Sequence, residues 1–156
     1  MPEPYAPPEQ RQPIEVGRPY RISRVVNMDD GDASSYFVRD IMGLNGSWRW
    51  TGKRPAIRIA IRSNERLHYS IDFTLADATF KVTGPVTIIF SVNDHVVGTQ
   101  RYAAPGVQHY DAIVPPDWVQ PNTEATVGAE IDKVWVSPTD GAQLGFILNR
   151  IGLRQE

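Results

Sequence analysis

The feature that most constrains the fold is a period-two alternation of side chains in three successive segments. In the segment 55–63 isoleucines alternate with arginine or alanine, and the segments 67–74 and 86–92 repeat the pattern with other residues. Successive side chains of a strand point to opposite faces of its sheet, so this pattern predicts strands with one buried face. Thirteen prolines and twelve glycines agree, because both residues interrupt helices. The chain is predicted to be all-β.

Turn residues divide the chain into about ten strands. The turns are often about 8–12 residues apart, which is typical of an antiparallel sandwich or barrel. The predicted strands are Tyr20–Val26, Ser35–Arg39, Trp48–Thr51, Pro55–Ser63, Leu67–Thr74, Thr79–Val82, Val86–Val92, Val96–Tyr102, Val107–Val114, Glu124–Ile131 and Gln143–Leu153. Single helical turns are predicted only at Asp40–Leu44 and Asp117–Gln120. Alternation alone does not separate a closed barrel from two packed sheets. The long connection 115–123 suits a crossing between sheets and favours an antiparallel two-sheet sandwich of the jelly-roll kind.

The amino-terminal residues 1–17 differ from the rest, because they contain five prolines and few apolar residues. We expect a flexible proline-rich arm there, either a solvated tail or a segment that packs on another subunit. Residues 18–156 are expected to form a single β-sandwich domain. Neither a signal peptide nor an apolar run of about 20 residues is recognisable, which predicts no membrane insertion and a cytoplasmic location by default.

Composition and missing motifs exclude several kinds of chemistry. The formal net charge is -2, which argues against nucleic acid as a partner. Without cysteine there is no disulfide, thiolate metal site or cysteine nucleophile. The glycine-framed serine of hydrolases and the glycine-rich phosphate loops are also absent. The sequence therefore predicts a protein that is not an enzyme and needs no cofactor.

Two acidic groupings are the alternatives to that prediction. Glu130 and Asp132 lie two residues apart on one strand face, a spacing that permits the paired carboxylates of a hydrolase and also suits a solvated face. Asp29, Asp30 and Asp32 form a glycine-containing acidic run, which is a candidate calcium site with a plain exposed turn as the alternative. The three histidines lie in separate segments without ligand spacing, so no histidine metal site is predicted.

Tryptophan and arginine give the more informative functional signal. Thirteen of the sixteen basic residues are arginine, and Trp48 and Trp50 fall on one face of an extended segment. Flat aromatic rings pack on the C–H faces of sugars, while guanidinium and carboxylate groups bind the hydroxyls. The predicted ligand-binding residues are Trp48, Trp50, Arg58, Arg62, His68 and Asp72, with Glu130 and Asp132 as further candidates. Core packing of the indoles is the alternative.

Four short motifs resemble the β-sandwich domains that accompany bacterial surface-polysaccharide glycosyltransferases. They are Gly46–Gly52 (GSWRWTG), Ile88–Asn93 (IIFSVN), Tyr110–Pro115 (YDAIVP) and Asp140–Phe146 (DGAQLGF), within roughly residues 36–153. The resemblance implies a galactose-binding-like jelly roll associated with carbohydrate and without catalysis. Val38–Met42 and Gln143 depart from the pattern of those domains, and no binding residue is carried over.

Three hypotheses follow for the function. The leading one is a non-catalytic β-sandwich that binds or accompanies carbohydrate. The second is a structural or assembly protein, such as a homo-oligomer, that interacts through its sheet face and its amino-terminal arm. The third is a hydrolase that uses paired carboxylates.

Overall fold

The structure is a computed structural model, and it describes residues 25–155. The strands in this part of the chain are β1 (Val25–Asn27), β2 (Phe37–Asn45), β3 (Trp48–Ile61), β4 (Leu67–Leu75), β5 (Val86–Val92), β6 (His95–Tyr102), β7 (Gly106–Val114), β8 (Thr123–Ile131), β9 (Trp135–Val136), β10 (Gln143–Leu144) and β11 (Ile147–Gln155). One α-helix, α1, spans Asp77–Thr83, and 3₁₀ turns span Ala33–Tyr36 and Pro116–Trp118. The predicted arm and most of the predicted strand Tyr20–Val26 lie outside the described residues.

The strand pairing is that of an antiparallel jelly roll. The main sheet runs in the order β6-β5-β8-β3-β11-β4-β7, with β1 paired to β11 and β2 to β3. It folds into two layers at β3, whose first residues pair with β11 and whose last residues pair with β8. One layer is then β1-β11-β4-β7 and the other is β3-β8-β5-β6, flanked by β2. This alternating order of eight strands in two sheets defines a jelly roll, so the predicted fold class is confirmed.

The core lies between the two layers and is rich in aromatic rings. Tyr69 of β4 donates a 2.8 Å hydrogen bond to the carbonyl of Gly128 on β8. Tyr110 of β7 stacks on Phe90 of β5, with ring centroids 4.0 Å apart and an interplanar angle of 12°. Burial, together with the neighbouring tyrosines, raises the pKa of Tyr69 well above its ordinary value. These contacts cross from one layer to the other, so the inward positions are occupied and recognition is left to the outward positions.

Two local predictions were wrong. The segment Asp40–Leu44, predicted as a helical turn, belongs to β2, whose register with β3 is interrupted three times. Asp40 has a positive φ of 57°, so this strand lacks the regular alternation that would have identified it. Thr79–Val82, predicted as a strand, lies in α1, which ends at Gly84 with φ 73°. Its β-branched residues misled the prediction, because a helix of seven residues is set by its tertiary surroundings more than by propensity.

Two further predictions are close to the structure. The helical turn predicted at Asp117–Gln120 appears as the 3₁₀ turn Pro116–Trp118. The predicted strand Gln143–Leu153 is divided into β10 and β11, which Gly145 separates. A Cβ atom at Gly145 would lie 2.6 Å from the carbonyl oxygen of Gly52, so close approach to β3 requires glycine there. None of the helices in the described part of the chain is both long and apolar enough to span a membrane.

Candidate functional site

The outward side of the layer β1-β11-β4-β7, which we call the network face, collects charged side chains from three neighbouring strands. Register sets Arg150 of β11 opposite Asp72 of β4, and Asp72 opposite His109 of β7. The next row contains Gly152, Ser70 and Asp111. Opposite residues of antiparallel strands share a face and lie about 4.5–5.5 Å apart. The three strands therefore bring together groups that are distant in sequence.

Asp72 is at the centre of this network. Its Oδ2 accepts a hydrogen bond from Nε of Arg150, and its Oδ1 lies 2.5 Å from Nδ1 of His109. Partial burial alone would raise the pKa of Asp72, but the hydrogen bonds and charges of Arg150 and His109 outweigh it and lower this pKa below its ordinary value. The carboxylate is therefore held ionised and fixed in orientation.

Asp111 forms a second centre beside it. Its Oδ2 accepts a 2.8 Å hydrogen bond from a terminal nitrogen of Arg154 and lies 3.3 Å from Nε2 of His109. Its Oδ1 lies 3.8 Å from Nδ1 of His68. His109 therefore bridges the two carboxylates, and the network is one continuous chain of polar groups across β11, β4 and β7.

The bridging position of His109 argues against a hydrolytic role for this cluster. A histidine that activates a serine needs a ring nitrogen directed at the hydroxyl. Both ring nitrogens of His109 face carboxylate oxygens instead. Ser70, in the neighbouring row, is only 3% exposed, so it offers almost no surface to a substrate. The arrangement suits orientation of charged groups better than proton transfer.

The tryptophan pair also lies on the network face, because the first residues of β3 pair with β11. Trp50 is opposite Ile147 of β11, which is in turn opposite Thr74 of β4. Because Thr74 and Asp72 are two residues apart on one strand, the row that contains Trp50 is next to the charged row. Trp50 itself is two strands from Asp72, so their Cα atoms are roughly 12 Å apart. The indoles of Trp48 and Trp50 are half-buried and meet edge to face, with centroids 6.1 Å apart. Flat apolar rings thus border the charged network.

The other predicted binding residues lie on the outward side of β3 and β8, which we call the opposite face. Arg58 pairs with Glu124 at 3.9 Å, and Glu130 pairs with Arg54 at 3.7 Å. Arg62 follows β3 directly and is exposed. The predicted set is therefore divided between two faces: Trp48, Trp50, His68 and Asp72 are brought together, whereas Arg58, Arg62, Glu130 and Asp132 lie elsewhere.

The carboxylates proposed as a hydrolytic pair both have partners within the chain. Asp132 accepts a 2.8 Å hydrogen bond from the backbone N–H of Thr87, and its own N–H donates to the carbonyl of Thr87. These bonds extend the β5–β8 ladder beyond Ile131. Glu130 forms a solvated ion pair with Arg54, so the geometry gives the two carboxylates no support as a catalytic pair.

The acidic run of residues 29–32 forms a turn after β1. Asp30 accepts a 3.0 Å hydrogen bond from the backbone of Asn27, and Asp32 accepts one from the hydroxyl of Tyr36 at 3.4 Å. Asp29 is exposed. Across residues 25–155, no group of three or more histidine, aspartate or glutamate side chains is placed to hold a metal ion.

Sequence reasoning missed four members of the network, namely His109, Asp111, Arg150 and Arg154. One signal was present, because His109 and Asp111 alternate with inward residues of β7, and Arg150 and Arg154 lie on the exposed side of β11. What was lacking was the pairing of these strands with β4. A surface of carboxylates, guanidinium groups and indoles can orient a polyhydroxylated ligand by hydrogen bonds and ring packing.

Comparison with known proteins gives structural similarity alone. No family model and no curated protein matches the chain. A family 35 carbohydrate-binding module from Clostridium thermocellum matches with 9% identity and a TM-score of 0.43, covering 86% of this chain and 92% of that one. A carbohydrate-binding module described for specific mannan recognition gives 9% identity and a TM-score of 0.43, covering 86% and 98%.

A third solved structure is much longer than this chain. It is an acetyl xylan esterase from the rumen bacterium Butyrivibrio proteoclasticus, with 8% identity and a TM-score of 0.47. The match covers 86% of this chain and 32% of the esterase. At these identities and scores the three structures assign neither a family nor a ligand, and the argument below depends on the network face itself.

Proposed function

We propose that the protein is a non-catalytic β-sandwich that binds carbohydrate on its network face. The observation that carries the proposal is that the Trp48–Trp50 pair and the Asp72–His109–Asp111 network occupy neighbouring rows of one outward surface. Sugar recognition combines ring packing on C–H faces with hydrogen bonds from fixed planar groups. This face supplies both kinds of group side by side.

The fixed orientation of the network supports binding. Arg150 and Arg154 each use a nitrogen to hold a carboxylate, and a guanidinium group has five N–H donors in a rigid fork. The aspartates in turn have lone pairs in excess of the bonds that they accept. Groups that are already ordered lose little conformational entropy when a ligand binds, which favours affinity.

Calorimetric titration of the full chain with defined oligosaccharides tests this proposal. The probes are cellohexaose, xylohexaose, mannohexaose and a galacturonic acid hexamer, which together offer neutral and acidic sugars. We expect at least one of them to bind with a dissociation constant in the micromolar to millimolar range. Absence of binding by all four at millimolar concentration would contradict the proposal.

We propose further that this binding needs no cofactor. The network face is assembled from the chain's own charged groups, and the acidic turn at residues 29–32 already engages chain groups through Asp30 and Asp32. Repeating the titration in excess EDTA and then in excess calcium is expected to leave the dissociation constant within about twofold. Affinity that only calcium restores would show that a metal ion participates, as the calcium alternative for the acidic run predicts.

A further inference from the structure

The strand β7 ends one side of the main sheet and has an open edge. All nine of its residues pair with β4 in unbroken register. In the part of the chain that the structure describes, no strand pairs with the other side of β7. Such an edge presents a row of backbone N–H and C=O groups that another strand can meet.

This edge lacks the protection that the opposite end of the sheet has. Proteins block strand edges with charged side chains, especially lysine, with proline, or with bulges. The other terminal strand, β6, contains Arg101, and its register with β5 shifts between Phe90 and Ser91. By contrast, β7 (GVQHYDAIV) has no lysine, arginine, proline or register shift, and its one acidic side chain, Asp111, is already bound by Arg154 of the same chain. The difference singles out β7 as an edge that accepts a partner.

The outward residues of β7 form a self-complementary series. In order they are Val107, His109, Asp111 and Ile113. An apolar residue stands at each end, with a histidine and an aspartate between them. Val107 is 80% exposed and Ile113 is 70% exposed, both unusually high for large apolar side chains. When a second copy of the strand is placed antiparallel to the first and centred on Tyr110, each apolar residue faces an apolar residue and each histidine faces an aspartate.

We propose that two copies of this chain join through their β7 edges, antiparallel and with the two-fold axis at Tyr110. In that register Val107 lies opposite Ile113 of the second copy, and His109 lies opposite Asp111 of the second copy. The contact is isologous, as in most homodimers, because each copy contributes the same strand. It removes two exposed apolar side chains per copy from water and satisfies the backbone groups of both edges.

The inward side of β7 is compatible with this pairing. Tyr110 points into the core, where it stacks on Phe90, and its hydroxyl occupies the space beside Gly98. A Cβ atom at Gly98 would lie 1.7 Å from that hydroxyl oxygen, so the tyrosine is fixed from within the fold. The strand can therefore gain a neighbour without rearranging its core side. The two network faces would then adjoin on one continuous sheet, whether or not they bind carbohydrate.

Sedimentation of the full chain at increasing concentration tests the dimer, with a matched pair of lysine variants. We expect a species of twice the 17.5 kDa chain mass. Ile113→Lys is expected to weaken association at least tenfold, and the control Val96→Lys, at a 54% exposed position on β6, to leave it within twofold. A monomer at every concentration up to about 500 μM, or equal effects of the two variants, would overturn the proposal.

Cysteine cross-linking tests the register independently, because the chain has no cysteine of its own. Residues 107 and 113 of one strand are roughly 20 Å apart, at about 3.4 Å per residue. A disulfide needs Cα atoms about 4.4–6.8 Å apart. The double variant Val107→Cys/Ile113→Cys is therefore expected to form disulfide-linked dimers under diamide, and each single variant to remain unlinked. Linked dimers from the single variants, or none from the double variant, would refute this register.

Discussion

The two outward faces of the sandwich carry similar residue types in different arrangements. On the network face Asp72 and Asp111 bind arginine and histidine partners at hydrogen-bonding distance, and their side chains are 25% and 33% exposed. On the opposite face Glu130 and Glu124 lie 3.7 Å and 3.9 Å from arginines, and are 43% and 66% exposed. The first arrangement is a connected and partly dehydrated network, whereas the second consists of separate solvated pairs. Composition alone does not distinguish a binding surface from a solvated one.

The largest expected difference between the faces is in saccharide affinity. Asp72→Asn and Trp50→Ala each remove a group proposed to contact the ligand, so the dissociation constant should rise at least tenfold, or about 1.4 kcal/mol. Arg58→Ala, on the opposite face, should change it by less than twofold. Calorimetry measures all three variants, with circular dichroism to confirm folding. Equal losses on the two faces would remove the distinction.

A smaller difference is expected in the coupling energies of ion pairs. A double-mutant cycle on Asp72 and Arg150 should give about 1 kcal/mol in the free energy of unfolding, because this hydrogen bond is part of a network. The matched cycle on Glu124 and Arg58 should give less than about 0.5 kcal/mol, as is usual for exposed pairs. Urea unfolding of the four variants in each cycle provides the measurement. Coupling energies of the same size in both pairs would contradict the difference between a connected network on one face and separate solvated pairs on the other.

The smallest expected effect is on stability in acid. The pKa of Asp72 is lowered in the folded protein, so its ionised form stabilises the fold above the ordinary pKa of 3.8. That contribution is lost as the pH falls through the lowered value. Between pH 6 and pH 2.5, Asp72→Asn should therefore lose less stability than the native chain, by a few tenths of a kcal/mol. Identical urea midpoint profiles would contradict the role assigned to Asp72.

The sequence predicted which side chains point outward but not which strands are neighbours. Period-two alternation located β4, β5 and the second half of β3, and turn residues located β7 and β8. His109 is 37 residues from Asp72, and Arg150 is 78 residues from it. Contacts at such separations depend on the strand order, which local pattern does not contain. Half of the predicted binding set was therefore placed together by the fold, and half lies on another face.

The elements that were predicted wrongly have a broken or misleading local sequence pattern. The strand β2 has three register irregularities and a residue with positive φ, so its alternation is broken. The helix α1 is composed partly of residues that favour strands, and its position between β4 and β5 determines its conformation. In both elements tertiary contacts override the local sequence signal, whereas long regular strands follow it.

The most direct test of the central claim uses the four tryptophans as probes. Trp48 and Trp50 lie on the network face, whereas Trp118 stacks on His95 and Trp135 lies in β9. In ¹H–¹⁵N spectra of the chain titrated with the tightest-binding hexasaccharide, the indole resonances of Trp48 and Trp50 are expected to shift with the binding curve. Those of Trp118 and Trp135 should stay in place. Shifts confined to Trp118 or Trp135 would show that the ligand binds elsewhere and would contradict the account.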